Sequence, residues 1–197
     1  GHRSGSVAGS ALDQIVRRCR RARRRLRLDD AIEGLALADH PELVDINLSG
    51  AQNGTWDHGN AIDYNASLDQ IVFSCRKLHE FFIIDHSTTT EEAAGHTGGD
   101  RGKGGDILYR WGNPQNYDRG TPDDRYYYAV HSAQWIDPGL PGAGNILIFN
   151  NGLDRGFSSV IEIKPPVDEH GRYTGYDAPS VWEYRADPPE AFYSSAI

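Results

Sequence analysis

Residues 70–85 read QIVFSCRKLHEFFIID, and this stretch decides the fold class. Two runs rich in β-branched and aromatic residues, Gln70–Cys75 and Glu80–Asp85, flank the polar link RKLH. Strands favour such residues, and a link of this length is typical of a β-hairpin. The stretch therefore predicts two antiparallel strands that follow each other directly along the chain.

Similar runs recur further along the chain, at residues 106–111 (DILYRW), 145–149 (NILIF), 158–163 (SSVIEI) and 181–184 (VWEY). Clusters of Gly, Pro and Asn separate them, as in GLPGAG at 139–144 and NNG at 150–152. Such clusters mark turns. Apart from residues 28–37, no long stretch has the 3.6-residue period of an amphipathic helix. The sequence therefore predicts an all-β fold for residues 31–197.

The chain also resembles itself at an offset of 73 residues, with His58 aligned on His131. NAIDY at 60–64 then falls on AQWID at 133–137, QIVFS near NILIF, EFFII near SVIEI, and LYRWG near VWEYR. A repeated unit of four antiparallel strands is typical of β-propeller blades. Residues 192–197 (FYSSAI) resemble the start of a third unit. We therefore predict two blades and the start of a third, with a stand-alone β-sandwich as the alternative.

A propeller ring needs at least four blades, so we expect these residues to be part of a larger propeller. Two units and a partial third cannot close a ring by themselves. The absence of Met and the start at Gly1 fit a chain cut from a longer one. We expect the 197 residues alone to have little or no catalytic activity.

The formal net charge of −8 is an average over two unlike parts. Residues 1–30 carry a net charge of +6, and residues 31–197 carry −14. The acidic part argues against nucleic acid as its main partner. The basic run RRCRRARRRLR at 17–27 lacks the apolar stretch of a secretory signal. It is interpreted as a disordered or non-native tail, with a basic nucleic-acid arm as the alternative.

Several common site motifs are absent from the sequence. There is no GxSxG nucleophile elbow, no HExxH and no CxxC, and GGDRGK at 98–103 lacks the P-loop spacing. The two Cys residues, at positions 19 and 75, are not expected to pair. A loose group of His and carboxylate residues at 79–96 has the spacing of no common metal site. These absences predict no metal site and no cofactor site. No run of 18 apolar residues occurs, so the sequence also predicts no membrane span.

Position in the repeat singles out two histidines. His58 and His131 occupy equivalent places in the two units, each just before an inner strand, and strand starts of neighbouring blades converge on the mouth of a propeller channel. Asn60 follows His58 by two residues and projects on the same side of an extended chain. Arg76 ends the next strand, and Asn150 and Asn151 end its counterpart in the second unit. This donor-rich set suits an anion such as sulfate or phosphate, although histidines that merely cap strands remain the alternative.

Four segments of the chain closely resemble the arylsulfotransferase (aryl-sulfate sulfotransferase) family, in a bacterial branch. They are WDHGNAIDYNASLDQIVFSCR at 56–76, FFIIDHSTTT at 81–90, GGDILYRWGNPQNYDRG at 104–120 and HSAQWIDPGLPGAGNILIFNNG at 131–152. The resemblance runs from about His40 to the end of the chain and does not cover residues 1–30. It implies a six-bladed propeller in the periplasm or otherwise outside the cytoplasm.

The resemblance also implies a reaction and its residues. Such enzymes move a sulfuryl group from a phenolic sulfate ester to another phenol through a sulfated histidine. The implied nucleophile is His131, and His58, Asn60 and Arg76 are the implied partners that donate to the sulfuryl oxygens or the leaving phenolate. The family commonly has a QHDA-like string around the nucleophile, where this chain has VHSA at 130–133. The acceptor that fixes the tautomer of His131 is therefore not evident from the sequence.

Trp135 is a further candidate, since its ring could stack on an aryl substrate, although aromatic residues in strands more often belong to the core. Two other functions remain open. The changed string around His131 also fits a non-catalytic propeller that binds a ligand. A hydrolase of sulfate esters would use the same residues with water as the acceptor.

Overall fold

The computed structural model describes residues 36–45, 48, 57–176 and 180–194. Eight strands form two four-stranded antiparallel sheets, and each strand pairs with its neighbours along the chain. The first sheet contains β1 (Gly59–Asn65), β2 (Gln70–Cys75), β3 (Glu80–Asp85) and β4 (Ile107–Trp111), and the second contains β5 (Val130–Trp135), β6 (Ile146–Asn150), β7 (Ser159–Ile163) and β8 (Ser180–Tyr184). In these described ranges the remaining helical turns are 3₁₀, at Leu37–Asp39, Glu92–Ala94, Pro114–Tyr117, Pro122–Asp124 and Pro189–Ala191. The predicted all-β class is confirmed.

The strands lie close to where the sequence predicts them. β2 and β3 have the predicted bounds. β4, β7 and β8 differ from the predicted runs by one residue at one end, and β6 differs by one residue at each end. β5 begins at Val130, three residues before the predicted run, and includes His131. β2 and β3 are buried at every position because they are central strands covered on both faces.

The strand pairing defines which positions of the two sheets correspond. Cys75 and Asn150 each end the second strand of their sheet, and their partners on the first strand are Gly59 and Val130. His131 therefore corresponds to Asn60, and His58 corresponds to Ala129. The predicted equivalence of His58 and His131 is wrong by two residues. The alignment of NAIDY on AQWID shares this error, because Tyr64 and Trp135 are the residues that face the corresponding Ile71 and Ile146. Each first strand contains one register shift, between Gly59 and Ala61 and between His131 and Gln134, so the two shifts cancel. The error comes from matching the two histidines by identity.

The later strands confirm the rest of the alignment. Phe81 and Val160 are the second residues of the third strands, and they pair with Trp111 and Tyr184. LYRW at 108–111 therefore corresponds to VWEY at 181–184, as the sequence predicts. In the same way QIVFS corresponds to NILIF and EFFII to SVIEI.

The two sheets share one hydrophobic core, and they pack front to back. The front face of the first sheet is defined by Val72, Phe81, Ile83 and Tyr109, and its back face by Ile71, Phe73, Phe82 and Ile84. The front face packs with Ile146, Ile148, Ile161 and Ile163 of the second sheet. Those four residues correspond to the back face of the first sheet. The contact is therefore heterologous, since unlike faces of the two repeats meet.

Residues 41–44 cover part of the back face of the first sheet. Val44 packs against a cluster that contains Phe73 and Phe82, and the Ile107 N–H donates to the Glu42 carbonyl at 3.0 Å. Arg110 is fully buried and donates from Nη1 to the Leu43 carbonyl at 2.7 Å. Its Nε donates to Oε2 of the equally buried Glu80 at 2.9 Å, and a second close contact joins Nη2 to Oε1. The ion pair orients Arg110, and the bond of Arg110 to the Leu43 carbonyl holds the segment against the sheet.

The predicted basic tail, residues 1–30, lies outside the described residues. In the part of the chain that the structure describes, no helix has the length and apolar character needed to cross a membrane.

Candidate functional site

His58 and His131 come together at the start of the first strands of the two sheets. Their ring centroids lie 6.2 Å apart, with an angle of 75° between the ring planes. His58 has a left-handed φ of 47°, and its carbonyl accepts the Arg76 N–H at 3.1 Å. This bond extends the β1–β2 ladder beyond Gly59 and holds Arg76 opposite His58. The predicted convergence of the two histidines is confirmed, although their positions in the repeat differ.

His131 is buried, with 3% of its surface exposed. Its Nδ1 lies 3.3 Å from the carbonyl oxygen of Ala129. A carbonyl can only accept a hydrogen bond, so this contact places a proton on Nδ1 and leaves the lone pair on Nε2. Within the described residues, the buried Nε2 makes no hydrogen bond of ordinary geometry. The Ala129 carbonyl is thus the acceptor that the string VHSA does not reveal.

The surroundings of His131 favour its neutral form. Burial lowers the pKa of the imidazole, and the positive charges of Arg76 and His58 lower it further. The Ala129 carbonyl and the side chain of Asn151 act in the opposite direction. No carboxylate is among the groups that shift this pKa. At neutral pH, His131 is therefore an uncharged imidazole near the Arg76 guanidinium, which suits attack on an anionic substrate.

Two residues that the sequence reasoning missed border this site. His79, in the β2–β3 turn, accepts the Ala129 N–H on Nδ1 at 2.8 Å. Burial and the charge of Arg125 lower the pKa of His79 to about 4, with a further lowering by Arg76 and an opposing effect of Asp154. His79 is therefore neutral at pH 7 with its proton on Nε2. The Arg125 guanidinium lies 4.2 Å from the ring centre of Tyr128.

Asn60 connects the two sheets. Its Nδ2 donates to the Val130 carbonyl at 2.8 Å, and its Oδ1 accepts from Ser74 Oγ at 2.5 Å. A second cross-sheet bond of this kind runs from the Trp135 N–H to Asp63 Oδ2, at 2.8 Å. Asn60 thus lies two residues from His58, but its amide group is engaged in joining β1 to β5 through Val130 and to β2 through Ser74.

The predicted substrate-binding residues separate into two groups. Trp135 packs in the core between the sheets, about 13 Å along β5 from His131 at ordinary strand rise, so the prediction that it lines the same site is wrong. Asn150 is fully buried, and its Oδ1 accepts from the Tyr128 N–H at 2.9 Å, which fixes the loop before β5. Asn151 is buried beside His131 and affects its pKa, as described above.

Two histidines of the loose His and carboxylate group at 79–96 pair with carboxylates from outside the group. His86 Nδ1 contacts Asp69 Oδ1 at 2.7 Å, and His96 Nδ1 contacts Asp106 Oδ1 at 2.8 Å. Among the residues that the structure describes, no three His, Cys, Asp or Glu side chains are grouped so that they could hold a metal ion.

Comparison with known proteins adds no assignment: no family model matches the sequence, and no curated protein matches it significantly.

Proposed function

We propose that this protein is an aryl-sulfate sulfotransferase in which His131 carries the sulfuryl group. The observation that supports this most is the state of His131. It is a buried neutral imidazole whose Nδ1 contacts a backbone carbonyl, with the Arg76 guanidinium and the ring of His58 as its neighbours. The same four sequence segments that resemble the arylsulfotransferase family contain all three residues.

The proposed reaction has two half-reactions. Nε2 of His131 attacks the sulfur of an aryl sulfate, the N–S bond forms, and the S–O bond to the phenolate breaks. The phenolate leaves with the electron pair and takes up a proton. Negative charge spreads over the sulfuryl oxygens in the transition state, much as in phosphoryl transfer. Arg76 and His58 would stabilise this charge.

In the second half-reaction, the oxygen of an acceptor phenol attacks the sulfur. The N–S bond breaks, and the electron pair returns to Nε2 of His131. The proton lost by the acceptor balances the proton gained by the first phenolate, so no cofactor is needed. During the cycle, Nδ1 keeps its hydrogen bond to the Ala129 carbonyl, which orients the ring for both attacks.

We further propose that the two sheets are blades of a larger propeller, outside the cytoplasm as in the family that the sequence resembles. The front-to-back packing supports this, because a heterologous contact can be repeated by a further sheet until a ring closes. A two-sheet sandwich gives no reason for unlike faces to meet. A repeated hydrogen bond supports the proposal as well. Ser158 precedes the third strand of the second sheet as His79 precedes that of the first. Its Oγ accepts the Ser194 N–H at 2.9 Å, as His79 accepts the Ala129 N–H.

A non-catalytic propeller that binds an anion is the second candidate. The observation that favours it is the irregular backbone beside His131, where Ser132 has a left-handed φ of 54°. A hydrolase that transfers the sulfuryl group to water is a variant of the first proposal. Turnover of an aryl sulfate in the absence of any phenol acceptor would identify the hydrolase.

The test uses the complete gene product with para-nitrophenyl sulfate as donor and a phenol as acceptor. We expect nitrophenolate release that depends on the acceptor. The variant His131→Asn should abolish it, and His170→Asn, at an exposed loop position, serves as the matched control and should leave it unchanged. Full turnover by His131→Asn would overturn the proposed role of His131.

A further inference from the structure

We propose that His79 is a positioning residue for His131, acting through the backbone of Ala129. This inference rests on the proposed function, since it assigns His79 a role in the same site. His79 belongs to the turn between β2 and β3 of the first sheet, whereas His131 lies in β5 of the second. The structure thus connects the two sheets through a chain of two hydrogen bonds that ends on the nucleophile.

The first bond runs from the first sheet to the second. Nδ1 of His79 accepts the Ala129 N–H at 2.8 Å. The acceptor role requires an unprotonated Nδ1, and burial together with the charges of Arg125 and Arg76 keeps His79 neutral. His79 itself has a left-handed φ of 58°, which directs the side chain away from the ladder of β2 and β3.

The second bond runs from Ala129 to the nucleophile. The carbonyl of Ala129 accepts from His131 Nδ1 at 3.3 Å. Ala129 has a left-handed φ of 63°, a conformation that is unfavourable for a residue with a Cβ. The bond to His79 compensates for part of this cost. Without it, Ala129 would be free to relax towards an ordinary extended conformation, and its carbonyl would turn away from His131.

The consequence for His131 concerns the position of its proton. A neutral imidazole in water prefers to carry its proton on Nε2, and a hydrogen bond from Nδ1 to a carbonyl reverses this preference. Only the form with a proton on Nδ1 offers the lone pair of Nε2 to a sulfur atom. His79 would therefore set the fraction of His131 that is ready to attack, without contact with the substrate.

The test compares His79→Asn with His79→Gln. The Oδ1 of Asn occupies about the place of Nδ1, and Asn tolerates a left-handed φ, so His79→Asn should retain the bond to Ala129. The acceptor of Gln lies one bond further out, so His79→Gln keeps the polarity and most of the size but misplaces the acceptor. Both variants keep a polar side chain at this half-buried position, which makes folding of both a fair expectation.

Two measurements are made on each variant. In protein labelled with ¹⁵N-histidine, the chemical shifts of His131, assigned with the His131→Asn variant, report which ring nitrogen carries the proton. The kcat and KM for para-nitrophenyl sulfate are measured alongside. We expect the wild type and His79→Asn to keep the proton of His131 on Nδ1. His79→Gln should move it towards Nε2 and lower kcat at least tenfold with little change in KM.

An unchanged proton position of His131 in a folded His79→Gln variant would overturn the inference. The same holds if His79→Asn and His79→Gln lower kcat equally, because a purely structural role would not distinguish them. The NMR result does not depend on sulfuryl transfer. If the proton moves as expected and no variant of the protein transfers sulfuryl groups, the positioning of His131 by His79 stands and the proposed function fails.

Discussion

The rings of His58 and His131 lie 6.2 Å apart, although the two residues belong to different sheets and to different positions of the structural repeat. His58 precedes β1 and His131 is the second residue of β5. What brings them together is the contact of β1 with β5, which Asn60 reinforces through its bond to the Val130 carbonyl. The site is therefore a product of the packing between sheets.

The charge of Arg76 should control the pH dependence of the reaction. Neutral His131 is the reactive form, so activity should fall as the pH drops through the pKa of His131, which lies below the ordinary value. Arg76 helps to lower this pKa. In Arg76→Gln we expect the acidic limb of the kcat/KM profile to move to higher pH, in addition to a loss of kcat/KM of about a hundredfold from the missing charge. Arg172→Gln, at an exposed loop position, is the control and should leave the profile unchanged.

His79 should make the stability of the protein depend on pH. Its pKa falls from about 6.5 in the unfolded chain to about 4 in the folded protein, so the unfolded chain binds more protons between these values. The stabilisation is fully present above pH 6.5 and is lost as the pH falls towards 4, by up to about 3 kcal/mol. Urea unfolding across this range checks it. His79→Asn should flatten the dependence, and an equally steep curve in that variant would contradict the assignment.

Loss of one partner of the buried Arg110–Glu80 pair should be severe. In Arg110→Met the carboxylate of Glu80 stays buried without its cation, although the amide of Asn116 still donates to it. We expect the free energy of unfolding to fall by about 3–5 kcal/mol. The double variant Arg110→Met/Glu80→Leu should recover much of this loss, since no buried charge remains. Urea unfolding of both variants tests this, and a double variant no more stable than Arg110→Met would argue against it.

The front face of the second sheet should be covered in a complete propeller. Trp182 and Tyr184 lie on this face, each with 50% of its surface exposed, and they correspond to the buried Tyr109 and half-buried Trp111 of the first sheet. Hydroxyl-radical footprinting should therefore modify both residues less in the complete gene product than in the 197-residue chain. Leu140, which is exposed in the turn between β5 and β6, is the reference. Equal modification in both proteins would contradict the proposed propeller.

The strands could be predicted from the sequence, but the contacts of the site could not. Runs such as QIVFSC and EFFIID are rich in β-branched and aromatic residues, which favour strands, and their strands have the predicted bounds. The self-alignment of the sequence matched His58 with His131, whereas the strand pairing matches His131 with Asn60. His58, His79 and Ala129 have left-handed φ values without being Gly or Asn, so nothing in their identity announces the turns that bring them together.

Some of the candidate site residues could likewise be predicted from the sequence, and others could not. The sequence brought His58, His131 and Arg76 to one place, as the structure does, although it derived this from an equivalence of the two histidines that the strand pairing does not show. It assigned Trp135 to the site, where the structure buries it in the core between the sheets. It missed His79, whose role depends on a turn of the first sheet that reaches the backbone of the second.

The most direct measurement is a search for the sulfuryl group on His131 itself. The complete gene product is mixed with para-nitrophenyl sulfate without an acceptor, quenched in alkali, and digested for mass spectrometry. We predict a rapid release of about one nitrophenolate per protein and a peptide that carries one SO₃ group on His131. Turnover of the donor with no such adduct, or with the adduct on another residue, would contradict the account.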